Sequence, residues 1–385
     1  MNVAPFDAAR AHIGDDAIRA WAYIAPDADA SSGPLADLAC GIKDIIDVAG
    51  MPTRFGVDFR DTHPTVDAAC VAALRAAGAT IVGKTVTTPF AYIDPAPTLN
   101  PHDPTRTPGG SSSGSAAAVA AGHVPFALGT QTVGSVLRPA SFCGVVGFKP
   151  THGRIATAGV SPEAPSLDHV GVIACDVPTA ARVARVLMPD LGSVTVPAAP
   201  RLLVDSALFA GDYGDEARVA VEAFAARCAA GGASVVRGDL APIASRALAA
   251  LDTILAYEAH VSYGFLRDRH TPPQVVALVR RGALVAGPAY RAALAERETM
   301  RPELARSFAE VDAFALICVG PAPGRETTGK PSALGPWSFF GVPALTFPIA
   351  RSAAGLPIGV QIVAARGRDA QLLALAERLA EFAPG

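Results

Sequence analysis

The chain has 385 residues, of which 50% are hydrophobic and 17% are charged, so it can form one large domain or two ordinary ones with a sizeable buried core. The net charge of −3 gives no electrostatic basis for binding nucleic acid or an anionic membrane surface. No apolar run of about 18 residues is uninterrupted, and the N-terminus has no basic region followed by an apolar one, so we expect neither a membrane span nor a secretion signal.

Apolar periodicity and turn residues predict alternating strands and helices along most of the chain. One or two helices are expected within residues 1–36, and a strand around Lys43 is expected to end near Asp44. Further helices are expected at 66–77, 113–121, 136 onward (limited by Pro139), 179–187, 215–230, 240–267, 273–309 and 369–382. Further strands are expected at 80–83, 124–128, 145–150, 202–204, 234–236, 314–318 and 359–363, with a turn at 129–134. This alternation predicts an α/β fold whose sheet is covered on both faces.

The six cysteines are scattered, with no C-x-x-C spacing. This pattern is typical of small apolar core residues in a reducing compartment, which favours the cytoplasm. The residues are Cys40, Cys70, Cys143, Cys175, Cys228 and Cys318.

Basic residues are strongly biased toward arginine, since 28 of the 32 are Arg and only four are Lys. Arginine keeps its proton at any useful pH, whereas a desolvated lysine can lose it. A basic side chain that acts as a general base must therefore be a histidine or one of Lys43, Lys84, Lys149 and Lys330. The eight histidines show no metal-ligand spacing, and nothing in the sequence supports a triad built on His123 or His152.

Residues 78–85, GATIVGKT, fit the phosphate-loop pattern G-x-x-x-x-G-K-[ST]. That motif needs a glycine-rich loop after a strand, with the lysine at the start of a helix. Here the predicted strand lies inside the motif, and the following VTTP is a poor helix start. A structural strand and turn is the better interpretation.

Three local patterns are candidates for a hydrolytic site, and each has a structural alternative. Ser111 follows Gly109 and Gly110 and leads into an alanine-rich helix, which is unlike a flexible linker, although a helix cap also fits. Ser135 follows Gly134 at a tight turn, where free backbone N–H groups can hold an oxyanion, but an ordinary N-cap is equally consistent. Lys43 lies among isoleucines whose burial would lower its pKa, as a general base requires, or it is a surface lysine on a strand edge.

Taken together, the motifs resemble those of the amidase signature family. The matching blocks, in the family's order, are GIKDIIDVAGMPT (41–53), GKTVTTPFAY (83–92), TPGGSSSGSAAAVAAG (107–122), ALGTQTVGSVLRPASFCGVVGFKPTHGRI (127–155), SLDHVGV (166–172) and GLPIGVQIV (355–363). The resemblance implies a single large domain, 1–385, with a central mixed, twisted β-sheet covered by helices. The core would comprise residues 36–175 and 335–385, and residues 190–310, which match loosely, would shape the substrate pocket.

The resemblance also implies roles for individual residues. Ser135 aligns with the nucleophile, Ser111 with a bridging serine on a cis peptide, and Lys43 with the general base. The backbone N–H groups of Thr132, Val133, Gly134 and Ser135 would hold the oxyanion, and no metal or organic cofactor is needed.

Departures from the family pattern concern the pocket and the turn. Many members have Asp-x-Gly-Gly-Ser where this chain has Gln131-Thr132-Val133-Gly134-Ser135, and Val133 requires a negative φ where glycine would be free. Pro89 replaces a common Glu. The sequence is most similar to the malonamidase branch, in which Arg138 would hold a substrate carboxylate, although a structural Arg at a helix start is also consistent. Gly109, Gly110 and Gln131 are further candidates for substrate binding.

The expected function is hydrolysis of a small carboxamide, with no nucleic acid or membrane partner. The resemblance makes a homodimer plausible for a family member of this size, and the oligomeric state is left open. The alternatives are ester or aryl-amide hydrolysis by the same triad, a non-catalytic scaffold and a transamidation subunit. Whether Tyr257, Glu258 or Trp337 lines the pocket is left open.

Overall fold

A computed structural model describes residues 5–28 and 32–383 of the chain. These residues form one sheet of 11 strands flanked by 12 helices, which confirms the predicted α/β class. The strands are β1 Trp21–Ile24, β2 Ala39–Lys43, β3 Thr80–Thr85, β4 Phe126–Gln131, β5 Val146–Lys149, β6 His169–Ala174, β7 Arg201–Asp205, β8 Ser234–Arg237, β9 Ala313–Ile317, β10 Ala344–Arg351 and β11 Pro357–Val363. The helices are α1 Pro5–Ile13, α2 Ala69–Ala76, α3 Ser113–Ala120, α4 Leu137–Phe142, α5 Val177–Leu187, α6 Ala210–Tyr213, α7 Asp215–Ala230, α8 Ala241–Tyr263, α9 Pro273–Gly282, α10 Gly287–Ser307, α11 Gly335–Phe340 and α12 Asp369–Ala380.

The sheet is mixed, with the strand order β1-β3-β2-β4-β6-β5-β10-β11-β9-β7-β8. Strand β2 runs parallel to both β3 and β4, and β7 runs parallel to both β8 and β9. The other neighbours are antiparallel. Because β2 and β4 are parallel neighbours, their carboxyl ends meet at one edge of the sheet, where Lys43 and Gln131 are the last residues.

Two apolar layers cover the faces of the sheet. Alternate residues of β2 and β3 enter different layers: Ile42 and Ile81 pack in one, whereas Ala39 and Val82 pack in the other. Helices α2, α5, α7 and α12 contribute to the first layer, and α3, α4, α8 and α11 to the second. This arrangement confirms the prediction of a sheet covered on both faces.

Several predicted elements are recovered closely, and others differ for identifiable reasons. The predicted helix 215–230 is α7, but residues 21–24, expected to be helical, form the edge strand β1. Strands β6 and β10 are not predicted by the sequence pattern, and β10 contains Pro348 beside a register shift, a residue that argues against a strand. Pro139 does not interrupt α4, because as its third residue it lies in the first turn, where the N–H has no helical partner. Parts of the 1–36 prediction fall on 1–4 and 29–31, outside the described residues.

The candidate phosphate-loop motif is structural. Residues 80–85 of the motif form β3, and Lys84 is fully buried inside the protein. Its Nζ lies 2.8 Å from Thr53 Oγ1 and 3.3 Å from Asp44 Oδ1, so its charge is already paired. Five of the six cysteines are buried as expected, whereas Cys175 is exposed.

No helix of the described residues has both the length and the apolar character needed to cross a bilayer.

Candidate active site

Lys43 ends β2 and is completely buried. Its Nζ is 2.7 Å from Ser111 Oγ and 2.7 Å from Thr130 Oγ1. Burial lowers the pKa of Lys43 from 10.5 to about 7, and the nearby carboxyls of Glu163 and Asp168 oppose this effect only in part. At pH 7 about half of the molecules therefore carry the neutral amine, which can accept a proton, and this amine faces two hydroxyl groups.

The loop before α3 holds Ser111 against Lys43. The Gly110–Ser111 peptide is cis, as the family resemblance implies. Gly109 has φ +83°, and a Cβ there would approach Pro139 Cα to 2.9 Å, so the backbone shape and the close packing both require glycine. The next residue, Ser112, anchors the loop to β4 through its Oγ, 3.3 Å from both the N and the O of Thr130.

Ser135 lies in the turn of residues 131–135, which connects β4 to α4 and is called the Ser135 turn below. Its carbonyl accepts a hydrogen bond from Ser112 N at 3.3 Å, which joins the two serine loops. The structure contains no hydrogen bond between the hydroxyls of Ser111 and Ser135; the Ser135 side chain instead lines a cavity. Within the described residues, the backbone N–H groups of Thr132, Val133, Gly134 and Ser135 donate to no protein group.

Gln131 stabilises the Ser135 turn from inside the protein. Its Oε1 accepts hydrogen bonds from the backbone N–H groups of Val136 and Leu137 at 2.9 and 3.0 Å. Its Nε2 donates to Val133 O and Ser338 Oγ at 3.2 and 3.0 Å. The Gln131 amide thus supplies both an acceptor and donors to the turn. The φ angle of Val133 is not positive, as expected. These contacts place Gln131 in the turn itself rather than in the cavity lining.

Arg138, in the first turn of α4, is 2% exposed and contacts the Ser111 loop. Its Nε and Nη2 donate to Gly110 O at 3.1 and 2.8 Å, and Nη1 donates to Gly329 O at 2.6 Å. Burial lowers the pKa of Arg138 to about 10, so the guanidinium stays charged at neutral pH. No carboxylate in the described part of the chain forms an ion pair with it. Among the described residues, this buried positive charge therefore has no carboxylate within ion-pair distance.

A pair of carboxyls lies behind the Ser135 turn. Thr132 Oγ1 is 2.8 Å from Glu163 Oε2 and 2.6 Å from Asp168 Oδ1. Burial, together with the neighbouring Asp168 charge, raises the pKa of Glu163 to about 8, and burial also raises that of Asp168. Glu163 and Asp168 did not emerge from the sequence as site residues.

A cavity of about 560 Å³ reaches Ser135 from the surface. Val133, Ser135, Arg138 and Glu163 line it, and both polar and apolar residues form the rest of its walls. The walls comprise residues 91–93 and 95, four residues of α8 (Leu248, Leu251, Asp252 and Leu255), Gln274, and residues 326–331. A smaller cavity of about 240 Å³ behind the Ser135 turn shares Ala91 and Glu163 with it.

The structure connects most of the residues that the sequence singled out. Lys43 contacts Ser111, Arg138 contacts Gly110 next to Gly109, and Ser135 and Arg138 line the same cavity. Tyr257, Glu258 and Trp337 do not line the cavity that contains Ser135. Thr130 was missed, although its position at the end of a strand beside Lys43 follows from the parallel pairing of β2 and β4. Residues 91–95 and 326–331 were also missed, because they reach the cavity through tertiary packing alone.

Comparisons with known sequences give a consistent result. The family model described as Amidase matches residues 5–373. A glutamyl-tRNA(Gln) amidotransferase subunit of Methanosarcina barkeri (strain Fusaro / DSM 804) is 48% identical over 158 residues, which cover 39% of this chain and 33% of that protein. Amidase 1 of Arabidopsis thaliana is 47% identical over 175 residues, covering 43% and 41% respectively. The chain thus matches less than half the length of these curated relatives.

Solved structures are similar over almost the whole chain. A protein described as an amidase has a TM-score of 0.90 at 31% identity, covering 99% of this chain and 97% of that one. The corresponding glutamyl-tRNA(Gln) amidotransferase subunit of Thermotoga maritima has a TM-score of 0.83 at 27% identity, covering 98% and 90%. A 6-aminohexanoate cyclic dimer hydrolase has a TM-score of 0.82 at 28% identity, covering 99% and 93%. With the family model matching nearly every residue and the fold shared throughout, this chain belongs to the amidase signature family.

Proposed function

We propose that this chain hydrolyses the amide bond of a small carboxamide to a carboxylate and ammonia or an amine, through an acyl-enzyme on Ser135. The observation that carries the proposal is the contact between Lys43 and Ser111. The fully buried Lys43, with a pKa of about 7, lies 2.7 Å from the hydroxyl of Ser111. The loop that holds Ser111 contacts the turn that holds Ser135, which lines a cavity. Membership of the family supports amide hydrolysis in general.

In the proposed mechanism, the neutral amine of Lys43 accepts the proton of Ser111, which in turn accepts the proton of Ser135. The Ser135 oxygen then attacks the carbonyl carbon of the substrate. The relay returns a proton to the leaving nitrogen, so the amine departs neutral and an ester remains on Ser135. Water, activated by the same base, cleaves that ester. Attack requires a side-chain rotation that brings Ser135 Oγ to Ser111 Oγ, a tightening that substrate binding commonly provides.

The Ser135 turn supplies the groups that the negative charge requires. Backbone N–H groups at residues 132–135 have no protein partner in the described chain, so they are available to the tetrahedral oxyanion. Gln131 holds these groups in place by accepting from Val136 and Leu137 and by donating to Val133 O. Donors fixed before the reaction stabilise developing charge without reorganisation, which is the largest contribution in many acyl-transfer enzymes.

Arg138 favours a substrate with an acidic group. Its guanidinium lines the same cavity as Ser135, carries a positive charge at neutral pH and has no carboxylate partner in the described residues. Three of its five N–H groups bind backbone carbonyls, and two remain. A short amide with a carboxylate, such as malonamate, would place its carbonyl at Ser135 and its charge at Arg138.

The test is ammonia release from malonamate, acetamide, benzamide and glutamine by the wild type, Ser135→Ala and Ser113→Ala. Ser113 is a matched control, because it is the first residue of α3, directly after the loop that holds Ser111, and its Oγ makes only a 3.5 Å contact with Val86 O. We expect release that is lost in Ser135→Ala and retained in Ser113→Ala, with malonamate preferred. Equal activity in Ser135→Ala and the wild type would contradict the assignment of the nucleophile. No ammonia release from any of the four amides, together with hydrolysis of an activated ester that Ser135→Ala loses, would favour the esterase alternative.

A further inference from the structure

The hydroxyl of Thr132 is hydrogen-bonded to two carboxyl groups at once, at 2.8 Å from Glu163 Oε2 and 2.6 Å from Asp168 Oδ1. A hydroxyl has one proton, so it can donate to only one of them. If both carboxyls were ionised, the second would face a lone pair of the hydroxyl and the charge of its neighbour. One of the two carboxyls must therefore carry a proton and donate it to Thr132 Oγ1.

The surroundings identify which one is protonated. Asp168 Oδ2 accepts hydrogen bonds from the backbone N–H groups of Glu163 and Ala164 at 2.9 and 3.0 Å, in addition to the Thr132 contact. These three bonds stabilise a negative charge on Asp168. Glu163 is 4% exposed, and Thr132 is its only side-chain hydrogen-bond partner among the described residues. The proton therefore belongs on Glu163, with the chain of donation running from Glu163 through Thr132 to Asp168.

On the basis of the proposed function, we propose that Glu163 is a positioning residue of the active site: as a carboxylic acid it fixes Thr132 and the Ser135 turn, and its ionisation inactivates the enzyme. Thr132 lies three residues before Ser135 and contributes one of the free backbone N–H groups. Loss of the Glu163 proton removes the donor to Thr132 Oγ1 and places two negative charges against it. The turn that presents the oxyanion donors is then no longer held in one arrangement.

Ionised Glu163 acts on the base as well. Lys43 lies close enough for the charge of Glu163 to raise its pKa, which favours the inactive ammonium. The other groups that act on Glu163 are Asp168, which raises its pKa, and Lys43 and Arg138, which lower it; the Glu163 charge also reaches Tyr92 beside the cavity and Tyr263 of α8. Since the pKa of Glu163 is about 8 and that of Lys43 about 7, both groups are neutral in the interval between them.

The decisive measurement is the pH dependence of kcat/KM for the wild type, Glu163→Gln and Glu258→Gln. Glutamine is isosteric with glutamic acid and donates to Thr132 without titrating. We expect kcat/KM of the wild type to fall about tenfold per pH unit above pH 8, and that of Glu163→Gln to stay level to pH 9.5. Glu258 is a second buried glutamate, hydrogen-bonded to Ser166 N and Tyr290 Oη, and its variant should retain the alkaline fall. Persistence of the fall in Glu163→Gln, or its absence from the wild type, overturns the proposal.

Two further readouts keep this result separate from the proposed function. Difference infrared spectroscopy at pH 7 should show a carboxylic-acid C=O band in the wild type that is absent from Glu163→Gln, whether or not an amide substrate is found; no such difference overturns the proposal. Glu163→Leu, which cannot donate, should lower kcat about tenfold with KM little changed. If Ser135→Ala keeps full activity, the proposed nucleophile fails while the infrared result still decides where the proton lies.

Discussion

The assignment of Lys43 as the general base makes a quantitative prediction about pH. A lysine with the ordinary pKa of 10.5 is neutral in roughly one molecule in 3,000 at pH 7. Complete burial lowers the pKa of Lys43 to about 7, so that about half of the molecules carry the neutral amine at that pH. Burial therefore raises the concentration of the active base by about three orders of magnitude. The sign follows from desolvation, which disfavours the ammonium form.

The assay is kcat/KM for the preferred amide between pH 5 and pH 9. We expect the acidic limb to rise about tenfold per pH unit up to a midpoint near pH 7 in the wild type. Lys43→Arg and Lys43→Met should lose this limb together with roughly 10²- to 10⁴-fold of the rate, because arginine keeps its proton and methionine has none to exchange.

Lys149 provides a matched control for this prediction. It is also fully buried, and burial lowers its pKa to about 7 as well. Lys149→Met should therefore leave the midpoint of the acidic limb in place, even if packing changes alter the rate. An acidic limb that survives in Lys43→Met, or one that disappears in Lys149→Met, would refute the assignment of the base.

Three other substitutions test separate parts of the structure. Arg138→Ala should raise KM for malonamate about 10- to 100-fold more than KM for acetamide, since a charge-assisted bond is lost only with the acidic amide; equal changes in both values would remove the carboxylate-binding role. The free energy of unfolding of Glu163→Gln should rise relative to that of the wild type as the pH rises from 5 to 8, by up to about 1.4 kcal/mol per pH unit. The reason is that the raised pKa of Glu163 lets the folded wild type hold a proton that the unfolded chain has released. If urea unfolding gave a difference between the two proteins that is constant with pH, the prediction would be contradicted. Lys84→Met should lower the free energy of unfolding by about 3–5 kcal/mol, because it leaves Asp44 buried without its partner. Lys84→Met combined with Asp44→Leu should recover part of that loss. A cost below about 1 kcal/mol for Lys84→Met alone would show that the buried pair contributes little.

The sequence predicted the parts of the fold that depend on local signals. The helix at 215–230 has an acidic first turn and a glycine pair at its end, and the structure has a helix with those bounds. Strands β1, β6 and β10 were missed because their signals are weak: β1 has four residues, and β10 contains a proline at a position where the register shifts. β1 pairs with β3, far away in the sequence, which a local pattern does not encode. β6 pairs with β4 and also with β5, the strand before it in the chain, whereas β10 pairs with the distant β5 and also with β11, the next strand along the chain.

The residues of the candidate site likewise divide into those that local sequence patterns indicated and those that only the tertiary structure brings to the site. Lys43, Ser111 and Ser135 were found because glycine-rich turns and an isolated lysine leave a strong trace in the sequence and match family motifs. No sequence pattern indicated Glu163, since it is one acidic residue in a proline-containing segment. Its proposed role depends on a contact with Thr132, 31 positions earlier in the chain. The walls of the cavity combine segments around residues 91–95, 248–255 and 326–331, and only the middle one lies in the region expected to shape the pocket.

What separates Lys43 from the other lysines is the chemistry of its neighbours, rather than burial alone. Lys84 is buried but paired with Asp44, and Lys330 is exposed and paired with Asp212. Lys149 is as buried as Lys43, but its Nζ contacts the carbonyl oxygens of Val342 and Pro150, which accept hydrogen bonds and have no proton to give; its other contact is a nitrogen of His169, 3.4 Å away. Lys43 alone among the four faces two hydroxyls, and a hydroxyl can release its proton to a neutral amine. A lowered pKa thus makes a lysine available as a base, and the hydroxyl of Ser111 gives that base a proton to take.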